Sequence, residues 1–114
     1  RVLVVDDNRD AASSLAQLLK LEGHEVREAH DGVEGVSAAT EFEPDVVLLD
    51  IGMPRMNGYE AATELRRKLD GRVRLVAVTG WGQEADRRRS EQAGFDLHLT
   101  KPVEFEKLRK VLRA

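Results

Sequence analysis

Five residues spread along the chain combine into one chemistry. Asp6 and Asp7 directly follow the apolar run Val2 to Val5, Asp50 ends the run Val46 to Leu49, Thr79 ends Leu75 to Val78, and Lys101 follows Leu97 to Leu99. If those runs are parallel strands, all five side chains open on one edge of one sheet. Three carboxylates in one crevice repel by about 4 kcal/mol per pair at a spacing of ~4 Å and an effective dielectric of ~20, a penalty that a divalent cation removes. Oxygen-only ligands favour Mg2+ or Mn2+, held by one or two carboxylates, water and a phosphoryl group of the substrate. Lys101 adds a second positive charge and Thr79 a hydroxyl donor, both suited to the oxygens of a phosphoryl group near Asp50. The set points to phosphoryl transfer, in which an aspartate can itself be the nucleophile and form an aspartyl phosphate while metal and lysine neutralise the equatorial charge.

These positions converge only if the chain supplies the sheet. The four runs are short, mostly β-branched or Leu, and bounded by turn residues, so they are expected to be strands buried on both faces. His24 to Ala29 is more polar, with Val26 and Ala29 as its only apolar members, and suits an exposed edge strand. Helical patterns lie between. After Asn8, a fitting cap, Ala11, Leu15, Leu18 and Leu19 form the stripe of a first helix that Gly23 stops. Asp31 with Glu34, and Asn57 with Glu60, have the spacing of capping boxes and open the second and third helices, the third carrying Ala62, Leu65 and Leu69. Met53, Pro54, Asn57 and Gly58 together make a turn and a helix start. Gln83 to Ala93 has few apolar residues and is expected to pack lightly and to move, its Arg87, Arg88, Arg89 run facing solvent. Phe105, Leu108, Val111 and Leu112 give the last helix its buried face. Five strand-helix pairs imply right-handed crossovers and an α/β fold, its parallel sheet covered on both sides. An edge position for the second strand suits the flavodoxin-like order 2-1-3-4-5, with a crevice outside the carboxyl ends of strands one and three.

Composition removes several alternatives. At 114 residues the chain fits one domain, expected over 1–114. With 18 basic and 21 acidic residues and a formal charge of -3, it lacks the broad positive field that nucleic-acid binding needs. The absence of cysteine excludes disulfides, thiolate catalysis and cysteine-ligated metals. No apolar run approaches the roughly 20 residues of a membrane helix and nothing reads as a signal peptide, so no membrane insertion and a cytoplasmic setting are expected. The chain enters a strand directly from Arg1, as a domain excised from a longer protein would.

The segments VLVVDDN, VVLLDIGMPRMNGYE, VAVTG and LTKPV, in that order, resemble the receiver domain of two-component response regulators over essentially the whole chain. The resemblance implies that Asp50 is the phosphorylated residue and that Asp7 and Asp50 hold the metal, helped by the Gly52 carbonyl, with Asp6 acting directly or through water. It makes Thr79 the switch hydroxyl, Lys101 the lysine that contacts the phosphate, and Pro102 a proline whose preceding bond is cis, a state X-Pro bonds reach at small cost. The implied donor is a phosphohistidine on a sensor histidine kinase or a histidine phosphotransfer protein. The receiver supplies most of the catalysis, and its own water-driven dephosphorylation ends the signal. It is thus a phosphoacceptor signalling domain rather than an enzyme with an outside substrate. The resemblance also implies an output surface on the Gln83 to Ala93 segment, the fifth strand and the last helix, facing a linked kinase core, a phosphotransfer protein or a twin receiver in a homodimer. MPRMNGYE, TGWGQEADRRR and AGFDLHLTKPV are most similar to receivers fused to hybrid histidine kinases.

Two positions depart from the family pattern. The family usually has Tyr or Phe three residues before the lysine, where this chain has His98; either the histidine takes over that switch and makes output pH-sensitive, or it is a partly exposed edge-strand residue. Trp81 is expected to hang over the site and restrict water, or to be a half-exposed loop aromatic, whereas Gly52 leaves its side of the site open. Among competitors, an FMN carrier of the same fold would need a phosphate-cradling loop after Val5, where two carboxylates stand instead. A haloacid-dehalogenase-like phosphatase would need an acid/base aspartate two residues beyond Asp50, where Gly52 stands. The remaining alternative is a pseudo-receiver, an interaction module that is never phosphorylated.

Overall fold

Four consecutive apolar residues cannot hide on one face of a strand, because alternate side chains point to opposite faces. The sequence VLVV therefore requires cover on both sides, and so does VVLLD. The computed structural model, which describes residues 1–51, 58–69, 73–79, 92–100 and 103–113, meets that requirement with β1 (Val2–Val5), β2 (Val26–Ala29), β3 (Val46–Asp50), β4 (Arg74–Thr79) and β5 (Leu97–Thr100) in one parallel sheet of order β2-β1-β3-β4-β5. The helices among the described residues include α1 (Arg9–Leu21), α2 (Gly32–Phe42), α3 (Gly58–Lys68) and α4 (Phe105–Arg113). One face of the sheet packs Leu3, Val5, Val47, Leu49 and Leu75 under α2 and α3. The other packs Val2, Val4, Leu48, Val76 and Val78 under α1 and α4. This is the α/β, flavodoxin-like arrangement expected from the sequence.

Local signals act where they were expected. Asn8 takes an extended conformation and its Oδ1 accepts from the Ala11 amide at 3.1 Å, while Gly23 turns the chain at φ +94° and its amide donates to the Lys20 carbonyl at 3.0 Å. Asp31 Oδ1 accepts from the Glu34 amide at 2.8 Å and so starts α2. The proposed Asn57 cap, most of the Gln83 to Ala93 pattern and the Arg87 to Arg89 run lie outside the described residues; Ala93, at the end of that pattern, is buried.

Two expectations are corrected. β5 is not covered on both faces: Leu99 is buried, but Leu97 is 38% exposed and His98 is exposed, because the order of the sheet makes β5 its second edge. The stripe of α1 is also rotated by one position. Ala12, Ala16 and Leu19 are buried with Leu15 partly so, whereas Ala11 is exposed and Leu18 is 38% exposed. Where Ala and Leu are interspersed, two neighbouring stripes look equally apolar in sequence, and the small alanines win the inner positions because they let α1 lie close to the sheet.

Candidate functional site

The end of β1 is a place where backbone pairing runs on into chemistry. The Asp6 amide donates to the Ala29 carbonyl at 3.0 Å, which extends the β1–β2 ladder by one residue and fixes the carboxylate at the rim of the sheet. Its Oδ1 accepts from the Asn8 amide at 3.0 Å, so the same side chain shapes the turn into α1. Asp50 closes β3 opposite Val78, and the next amide, of Ile51, donates to the Val78 carbonyl at 3.2 Å. Asp6 is 7% and Asp50 6% exposed, the charged side chains among the buried residues, while Asp7 faces solvent. Carboxylate oxygens of all three lie within 4.8 Å of one another.

That spacing is close to the separation at which mutual repulsion between carboxylates costs several kcal/mol. A cluster with two buried members and one exposed member offers hard oxygen donors around a point still open to water, and it could hold a divalent metal ion. The donor set fits Mg2+ or Mn2+ chemically, since all three ligands are carboxylate oxygens.

The remaining expected positions divide into two groups. Thr79 is the last residue of β4, in register with Thr100, and so stands one residue beyond the Asp50 level on the neighbouring strand. Lys101, Gly52, Trp81 and Pro102 lie outside the described residues. His98 pairs with Ala77 and sits exposed on the edge strand. Its ring lies 6.3 Å from that of Phe95, which in turn meets Tyr59 edge-on at 6.2 Å.

One positioning residue was missed in the sequence. A Cβ at Gly58 would stand 2.5 Å from the Ile51 Cα and 2.9 Å from the Asp50 carbonyl oxygen, and the Gly58 amide donates to the Ile51 carbonyl at 3.0 Å. The first turn of α3 is therefore pressed against the backbone that carries Asp50. Its signal was present, a glycine directly after a cap candidate, but a turn explained it equally well.

A parallel sheet of order 2-1-3-4-5 with helices on both faces, carrying clustered carboxylates where β1 and β3 end, defines a class: a flavodoxin-like α/β domain with an acidic site at its topological switch point. The family description "Response regulator receiver domain" matches residues 2–113, and the chain belongs to that family, the receivers of two-component signalling. It is 37% identical to protein PilH of Pseudomonas aeruginosa over 115 residues, covering 100% of this chain and 95% of PilH. It is 42% identical to the transcriptional regulatory protein PrrA of Mycobacterium tuberculosis over 102 residues, which are 90% of this chain and 43% of PrrA. Among solved structures, a CheY-like receiver domain protein of Methanospirillum hungatei superposes with a TM-score of 0.90 at 30% identity, covering 99% of this chain and 90% of that one. Chemotaxis protein CheY4 of Vibrio cholerae gives 0.88 at 27% identity, covering 98% and 94%.

Proposed function

We propose that the chain is the phosphoacceptor of a two-component phosphorelay and that Asp50 is the residue phosphorylated. The observation that carries this reading is the convergence of Asp6, Asp7 and Asp50 within 4.8 Å at the ends of β1 and β3. In the transfer an Asp50 carboxylate oxygen bonds to phosphorus while the P–N bond of a phosphohistidine breaks, its electron pair staying on the imidazole nitrogen. Asp6, Asp7, Asp50 and the Gly52 carbonyl would hold Mg2+ or Mn2+, which when bound supplies charge neutralisation for the phosphoryl oxygens. Thr79 and Lys101 fill the hydroxyl and ammonium roles around the same oxygens. The burial of Asp50 favours transfer over hydrolysis, because it keeps bulk water from most directions of approach.

Phosphorylation then shifts an existing equilibrium between two conformations of a partner-binding surface. The donor is a sensor histidine kinase or a histidine phosphotransfer protein, and the domain works as one unit, 1–114, of a longer cytoplasmic protein such as a hybrid histidine kinase. No nucleic acid is bound by this unit and no membrane is entered; among the described residues, no helix is long and apolar enough to cross one. The test is intact mass after incubation with Mg2+ and acetyl phosphate, beside Asp50→Asn. Gain of one phosphoryl group that is lost in the variant and without metal is expected. Metal binding without any gain from either acetyl phosphate or a phosphohistidine donor overturns the reading in favour of a pseudo-receiver.

A further inference from the structure

The acid site is one end of a larger cavity of about 320 Å3. Ala11, Ser14, Leu15 and Leu18 of α1 line it together with valines and a leucine of β1, β3 and β4, with Val103, and with Asp6 and Asp50. Its origin lies in the rotated stripe of α1. The helix turns Ala11 and Ser14, which are too small to fill the space, toward the groove, and leaves Leu18 partly exposed along it. The lining is therefore apolar apart from the carboxylates and one hydroxyl, and it runs away from Asp50 along α1.

We infer that this groove selects the organic part of a small-molecule phosphoryl donor, an acyl phosphate with an aliphatic tail. The inference rests on Asp50 being the acceptor. Charge and polarity divide the cavity to match such a molecule: the phosphoryl group belongs at the carboxylate end, where a divalent cation fits, and the tail lies against Leu15, Leu18 and Val103. At about 30 Å3 for a group the size of one water, the volume accommodates six carbons. The transfer balances without a further reactant. An Asp50 oxygen bonds to phosphorus, the bond from phosphorus to the acyl oxygen breaks, and the fatty carboxylate leaves with that electron pair.

Each methylene fully taken from water is worth about a fourfold gain in affinity, so even a half-open groove should make hexanoyl phosphate at least about tenfold more efficient than acetyl phosphate. The experiment follows Asp50 phosphorylation by intact mass with acetyl, butyryl and hexanoyl phosphate in the presence of Mg2+. Ser14→Leu and Ala11→Leu, both at exposed positions of α1, fill the groove and should bring the hexanoyl-to-acetyl ratio close to one; a ratio taken within one variant cancels any change in its fold. Binding is read separately with hexylphosphonate and methylphosphonate, the longer probe being expected to shift the methyl resonances of Leu15, Leu18 and Val103. Equal rates across the series in the parent chain overturn the inference, and so does a preference that both leucine variants retain. If no acyl phosphate modifies Asp50 while a phosphohistidine donor does, the groove inference is overturned and the acceptor reading stands; if the phosphohistidine donor fails as well, the acceptor reading has failed and the inference falls with it.

Discussion

Asp7 is the exposed corner of the carboxylate cluster, and Asp6 and Asp50 the buried ones, so the three residues share a charge problem unequally. The like charge of each carboxylate acts against the other two. Asp7→Asn should therefore raise the stability of the metal-free protein by about 1 kcal/mol, less than the ~4 kcal/mol of a pair at ~4 Å because solvent screens an exposed group. The same substitution should weaken Mg2+ binding. At a concentration 100 times the dissociation constant, a bound ion stabilises the parent chain by about 2.7 kcal/mol, and most of that gain should vanish in the variant. Thermal melts with Mg2+ and with a chelator check both signs: a variant that loses stability without metal would mean that Asp7 serves the turn rather than the cluster. The acid residues were legible in sequence because each directly follows a run that can only be a strand, so their convergence follows from topology. Gly58 was not legible in the same way, since its reason is a helix start lying so close to a strand end that a Cβ there would stand 2.5 Å from the Ile51 Cα, which no pattern of residue types encodes.

The elements show where that approach matters. Gly58→Ala places a methyl group inside the Ile51 backbone, so α3 must withdraw from the end of β3 or the chain after Asp50 must shift. A loss of about 1 to 3 kcal/mol is expected, with weaker metal binding as well, because the displaced backbone is the one that holds Asp50. A melt unchanged within 0.5 kcal/mol, roughly the range of surface substitutions, would argue against it. The end of α2 carries strain of the opposite kind. Glu43 caps it at φ +51°, a left-handed conformation that costs a residue with a side chain about 1 to 2 kcal/mol, while its amide still donates to the Ala39 carbonyl at 3.0 Å. Glu43→Gly relieves that strain and adds unfolded-state entropy of up to about 1 kcal/mol. The net expectation is a gain of about 0.5 kcal/mol in chemical denaturation. Element types and the sheet order were legible from runs, caps and edge polarity. The stripe of α1 and the exposure of β5 were not, because the first depends on how closely a helix approaches the sheet and the second on which strand ends up outermost.

Across the whole molecule, the acid cluster and the main tie between helix and strand starts occupy opposite ends of the strands. The carboxylates stand where β1 and β3 end, whereas Arg66, near the end of α3, reaches the chain just before β4 and β5 begin. Its Nη1 donates to the Val73 carbonyl at 2.7 Å, its Nε to the Gly94 carbonyl at 3.0 Å and its Nη2 to the Asp96 carboxylate, which also accepts from the Leu75 amide at 2.9 Å. One guanidinium thereby ties a helix to the starts of two strands. Gly94, at φ +99°, leaves room for the Arg66 stem, with which a Cβ there would collide. Arg66→Ala leaves the Asp96 carboxylate and two carbonyls short of a donor and should cost about 2 kcal/mol. Arg66→Lys should recover little, since an ammonium cannot present three donors in a fixed plane. Because the clamp and the cluster lie at opposite ends of the strands, their effects should add. The double variant Arg66→Ala with Asp7→Asn should match the sum of the single changes to within about 0.5 kcal/mol, with Mg2+ affinity set by Asp7 alone. A coupling clearly above that, read from denaturation of all four proteins in a cycle, would mean that the amino edge of the sheet communicates with the acid site through the strands, and that the clamp takes part in switching as well as in holding the fold.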